Sequence, residues 1–203
     1  MHIMVDLEAL SNDVRNGSLL AIGAIPFTMD DDIPYPNEAD FIVATWEKAF
    51  YCPIDIVDQA KYKFEIDGDT LQWWLHDDRY SQLREFINAR RRQPLSIVLT
   101  MFEEWVECVC PKKDDLQLWS HGSTYDCMHL AEKWPIVMMT SFNSVCPFRQ
   151  VRDTRTLFEA YTVKFPGGSP YPLFPRKRHH HPLEDAWMQA VAVQRAWKGI
   201  ING

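Results

Sequence analysis

Two apolar runs, HIMVDLEAL at 2–10 and SLLAIGAIPF at 18–27, enclose the polar stretch SNDVRNG. Runs of this length bounded by turn residues predict two buried strands joined by a turn. The first strand carries Asp6 and Glu8. Side chains alternate along a strand, so these two carboxylates share one face and Leu7 takes the other. Two acids on one face of a buried strand cost desolvation and mutual repulsion. They are tolerated at the wet end of the strand or where a cation neutralises them. Acids on an ordinary half-exposed strand would leave the same pattern.

Further along, DDDIPYPN at 30–37 has the composition of a loop, and FIVATW at 41–46 suits a third strand. From Val57 to Arg92 the chain turns helical and charged, with Leu71, Trp74 and Leu75 on one packed face and Trp73 off it. Residues 94–109 form the clearest amphipathic helix: Leu95, Val98, Leu99, Phe102, Trp105, Val106 and Val109 recur at spacings of three and four, with Pro94 in the first turn. LQLWS at 116–120 is expected as a buried strand, followed by a helix from about Thr124 and another over 152–163. A glycine- and proline-rich loop, FPGGSPYPLFP, precedes a last helix from Pro182. With no internal repeat and no linker, this order predicts a single α/β domain.

At 203 residues the chain is long enough to bury a real core, and no apolar run approaches the roughly 18 residues of a membrane span. The N-terminus lacks a basic n-region, so no signal peptide is expected. Five cysteines without a framework spacing suit reduced thiols in a cytoplasm, and Cys108 with Cys110 lacks the second pair of a zinc site. A net charge of −7 argues against binding nucleic acid by bulk electrostatics, though not against gripping a short strand locally. Basic residues cluster at Arg90–Arg92 and Arg176–Arg178.

Two more acids stand out. Asp126, in LWSHGSTYDCMHL, follows a strand and a small-residue turn near the start of a helix; Asp185 lies in the first turn of the last helix, where simple compensation of the helix dipole would also suit it. Just ahead of Asp185 run His179, His180 and His181. The triplet is internal and runs into Pro182-Leu183-Glu184-Asp185, which argues against a purification tag. Four carboxylates on three elements could hold two hard divalent cations and drive hydrolysis of a phosphodiester, with a histidine taking a proton from water.

The order D-L-E, then G-S-T-Y-D-C, then H-x4-D opening a C-terminal helix resembles the DEDDh branch of the 3′-5′ exonucleases. IMVDLEALS with LLAIGAIPF, the Trp73-Trp74 pair, RDTRT at 152–156 and HHPLEDAWMQA are most similar to a subgroup that includes phage exodeoxyribonuclease A and small bacterial exoribonucleases. The resemblance implies an RNase H-like mixed sheet flanked by helices, in one domain over 1–203 with a subgroup insertion around 30–93. It also implies Asp6, Glu8, Asp126 and Asp185 as ligands of two Mg²⁺ or Mn²⁺ ions. His180, five residues before Asp185, would be the general base, while His179 and His181 match no catalytic position. Ala9 stands where many relatives have Thr. The implied substrate is the 3′ end of single-stranded nucleic acid, DNA ahead of RNA, in a bacterial or phage-infected cell, with nucleoside 5′-monophosphates released. A homodimer is left open, and no membrane partner is expected. Trp73, Trp74 and Tyr125 are candidates for stacking on bases, or for the core. Two other readings are a non-catalytic nucleic-acid-binding module on this fold and a histidine cluster binding Zn²⁺ or Ni²⁺.

Overall fold

The computed structural model describes residues 1–31, 33, 48–172 and 180–202. The third strand expected at 41–46, the basic run Arg176–Arg178 and His179 lie outside them. Among the described residues, five strands form one sheet in the order β3-β2-β1-β4-β5: β1 (His2–Ala9), β2 (Leu19–Phe27), β3 (Phe50–Pro53), β4 (Gln117–Ser120) and β5 (Val151–Asp153). β1 runs antiparallel to β2 and parallel to β4. This α/β sheet is the mixed sheet that the resemblance implied.

The central strand separates two cores. Ile3, Val5 and Leu7 face one, together with Leu95, Val98, Leu99 and Phe102 of α4 (Leu95–Val109) and Leu130 and Trp134 of α5 (Asp126–Val137). Met4 faces the other, under α7 (Pro182–Asn202) and beside α6 (Thr154–Lys164). Ala186, Ala190, Ala192 and Ala196 give α7 a small-residue surface that is wholly buried.

The charged region before α4 is cut more finely than its composition suggested. Asp55 caps α1 (Ile56–Gln59), Asp67 caps α2 (Gly68–Trp74) by accepting the Thr70 N–H, and α3 (Asp77–Asn88) follows. Because α2 ends at Trp74, Leu75 is exposed and leaves the packed face expected for it, while Trp74 is buried. Pro94 caps α4 from outside its first turn, with ψ of 142°. The helix expected over 152–163 begins at Thr154, because Val151–Asp153 pairs with β4 and Asp153 caps α6. Three residues are too few to show alternation.

Candidate active site

The acids gather where β1, still paired with β2, runs on past the end of its ladder with β4. Asp6 and Glu8 point to the same side as Met4, towards α7. Opposite Asp6 in the ladder stands Gly23. A Cβ on that glycine would fall 2.4 Å from the Pro182 carbonyl carbon and 2.4 Å from the Leu183 nitrogen. The missing side chain is what lets the first turn of α7 lie against the backbone of β2, bringing that turn to the acids. There the chain enters the helix through His180 at φ 59°, and the Asp185 N–H closes the first turn on the His181 carbonyl at 2.9 Å.

Glu8, His180 and Asp185 each offer one ligand atom, and these atoms lie within 4.8 Å of one another. The other two acids are held from the side. Asp126 opens α5 after the turn of Gly122, whose carbonyl accepts the Tyr125 N–H at 2.8 Å. Beyond Met4–Trp119, where the ladder between β1 and β4 ends, the Leu7 N–H donates to Asp126 Oδ1 at 3.1 Å. Gln189 Nε2 donates to Asp6 Oδ1 at 2.7 Å.

The electrostatics tie the acids together. Burial, and then the negative charges of Asp6, Asp185 and Asp126, push Glu8 well above the usual carboxylate range. Burial pushes Asp126 up to about 7, against the pull of the Leu7 N–H and of the Arg155 charge. Tyr125 is pushed up to about 12 by burial and by Asp126, Glu8 and Asp6. Buried carboxylates that repel one another are stabilised by a cation. This donor set, oxygen-rich with one imidazole, fits a hard divalent ion.

His180 and His181 part ways. The His180 ring meets Trp73 at 4.8 Å and Trp74 at 6.0 Å, both edge to face. His181 is 1% exposed and packs against Tyr51 at 4.7 Å and Phe86 at 6.4 Å.

Beside Glu8 opens a groove of about 470 Å³ lined by Ala9, Asn12, Thr70, Trp73, Trp74 and Tyr125, among others. All three stacking candidates border it, in different states. Trp74 is 1% exposed and its indole N–H donates to the Ala9 carbonyl at 2.8 Å, so it is wall and not platform. Trp73 is 42% exposed, with the Arg79 guanidinium 4.2 Å from its ring centre. The Tyr125 hydroxyl donates to the Ser11 carbonyl at 3.3 Å.

Comparison with known proteins fits this geometry. The model of the 3′-5′ exoribonuclease Rv2179c-like domain matches residues 1–197. The chain belongs to that family. The family description is that of a 3′-5′ exonuclease domain, as the resemblance implied. Similar solved structures include cell-death related nuclease 4, at 13% identity and a TM-score of 0.59 over 96% of this chain and 62% of that one. Exonuclease I from Methylocaldum szegediense has 11% identity and a TM-score of 0.59 over 97% of this chain and 40% of that one. The zinc-bound complex of E. coli exonuclease I with single-stranded DNA has 12% identity and a TM-score of 0.54, again over 97% and 40%. This chain thus spans less than two thirds of each of these neighbours. A comparison with curated proteins found no match.

Sequence reasoning missed Gln189, although its signal was there: it stands four residues after Asp185, on the same face of the helix. It also missed Asp153, which accepts from the Ser123 N–H at 2.8 Å and so fastens the loop that leads to Asp126. All five cysteines are free thiols, and among the described residues no helix is long and apolar enough to cross a membrane.

Proposed function

We propose that this domain removes nucleoside 5′-monophosphates one at a time from the 3′ end of single-stranded nucleic acid. Asp6, Glu8, Asp126 and Asp185 hold a pair of Mg²⁺ or Mn²⁺ ions, and His180 is the general base. The convergence of Glu8, His180 and Asp185 within 4.8 Å, where burial pushes Glu8 and Asp126 above the usual carboxylate range, carries this reading. When bound, divalent cations supply Lewis-acid polarisation of the phosphoryl group and make an attacking water more acidic. The chain's own part is to accept the water proton on the His180 imidazole as the new P–O bond forms and the P–O3′ bond breaks. The departing 3′ oxygen is protonated from solvent. Trp73 and Trp74 brace the imidazole from the groove side. The groove beside Glu8 takes the terminal nucleotide.

RNA is the first substrate, because the family description is that of an exoribonuclease. Single-stranded DNA is the second reading, supported by the DNA-bound neighbour. The test is a time course with RNA and DNA oligomers, labelled at either end, in Mg²⁺ or Mn²⁺. Release of labelled mononucleotide from the 3′ end, stopped by a blocked 3′ hydroxyl, is expected. Digestion from the 5′ end of a 3′-blocked strand would overturn the polarity.

A further inference from the structure

The charge of Arg155 pulls on Asp126, and the scheme above gives it no task. It sits at the start of α6, on the β5 side of the acids, and is exposed. Its guanidinium lies flat over Gly122, which has φ of 98°. A Cβ there would come 3.1 Å from Cζ and 3.2 and 3.3 Å from the two terminal nitrogens. Among the described residues that guanidinium has no carboxylate partner. The nearby acid, Asp153, spends its oxygens on the Ser123 N–H, the Ser123 hydroxyl and the Arg155 N–H. The neighbouring Arg152 is used differently, donating to the carbonyls of Arg149 and Val151. Arg155 is therefore positioned by packing, and among the described residues its guanidinium makes no ion pair.

The sheet order says where that charge would be useful. The groove for the terminal nucleotide is walled by α2 together with Leu7, Glu8 and Ala9 of β1, and α2 packs through Trp74 against Leu20 and Ala21 of β2. Arg155 follows β5, two strands from β1 on the opposite side. A strand with its last nucleotide in the groove and its cleaved bond at the acids leaves the site over the turn between β4 and α5, and meets Arg155. Near a cluster of four carboxylates, in a chain of net charge −7, an incoming polyanion needs such a contact.

We propose that Arg155 binds a phosphate of the substrate strand immediately upstream of the cleaved linkage, so that the chain grips two phosphates in succession. The inference rests on the exonuclease reading above. A planar, permanently charged guanidinium suits a phosphate diester well.

The test pairs Arg155→Ala with an oligomer whose linkage just 5′ of the cleaved one is a neutral methylphosphonate. With the parent protein, the neutral linkage should raise KM by about tenfold, with kcat within about twofold, as expected for loss of one charged contact. Arg155→Ala should raise KM similarly on the natural strand and flatten the salt dependence of binding by about one unit of slope. The neutral linkage should then cost the variant almost nothing more, since the two changes remove the same contact. A parent protein indifferent to the neutral linkage would overturn the proposal without recourse to any variant. So would equal penalties in parent and variant. Failure of the parent to digest the natural strand in either metal would instead count against the exonuclease reading itself.

Discussion

The two faces of β1 are built from alternate residues of one strand and obey opposite rules. Ile3, Val5 and Leu7 enter an apolar core, and their burial stabilises the fold. On the other face Met4 is followed by Asp6 and Glu8, and the same burial there works against the fold by forcing like charges together. The lesson is that a strand can keep stability and chemistry two residues apart, provided the destabilising face is covered by something that needs it. Here that cover is α7, together with whatever cation the acids take.

The largest expected effect breaks the two faces apart. Asp126→Ala should lose detectable hydrolysis while keeping its thermal midpoint in EDTA, and should lose the stabilisation that Mn²⁺ gives the parent. Ile3→Ala, in the apolar core, should do the reverse, costing about 2–5 kcal/mol of stability with turnover preserved in the folded fraction. Denaturant titration beside an activity assay reads both. An active Asp126→Ala would remove that acid from the site.

Next come the two adjacent histidines, which repeat the comparison at the mouth of α7. His180→Ala should lose on the order of 10² to 10⁴ in turnover with little change in stability. His181→Ala opens a hole beside Tyr51 and Phe86, so its effect should fall on the thermal midpoint. If His181→Ala is the inactive variant, the register of five residues to Asp185 is wrong.

Gln189→Leu keeps the bulk of the side chain but removes the donor that holds Asp6. Loss of such a supporting hydrogen bond should weaken Mn²⁺ binding by roughly tenfold, as measured by calorimetry. Unchanged affinity would show that Asp6 needs no orientation.

The smallest effect is one of pH. Asp126 sits at about 7 in the folded protein and at an ordinary carboxylate value when unfolded. The folded state without cation therefore holds a proton that the unfolded chain releases. Its contribution to stability is complete below about pH 4 and is lost as pH rises through 7. A cation takes only the ionised acid, so the midpoint gain from Mn²⁺ should grow by a few degrees between pH 5.5 and 8. The difference between parent and Asp126→Asn cancels other titrations, such as that of His129, which burial depresses to about 3. A gain that does not vary with pH would mean that Asp126 is already ionised.

The class of fold was legible in the sequence, and so in part was which candidate residues lie near one another. Alternation in VDLEA set Asp6 and Glu8 on one side of a strand, and an offset of five set His180 apart from His181. The first pattern is local, so spacing reveals it; the second was supplied by the resemblance. The resemblance supplied the sheet and the family. What stayed hidden depends on contacts distant in sequence. Nothing in IGAIP tells that Gly23 must be bare for Pro182 to rest on it, 159 residues later. Nothing in the WW pair tells that one ring is a wall bonded to Ala9 and the other lies under Arg79. Of the three α-helices of 56–88, two begin at the capping acids Asp55 and Asp67 and the third after His76, in a region whose charged composition reads as continuous.

The seating of α7 on Gly23 also has a meaning in time. A chain part-way through synthesis already carries Asp6, Glu8 and Asp126, and its first strands can pair. It has neither His180 nor Asp185, and nothing covers the bare glycine. The arrangement proposed for hydrolysis comes into being only when the final helix has been made and has found its place beside the first strand. Until that helix has docked, the proposed site is incomplete.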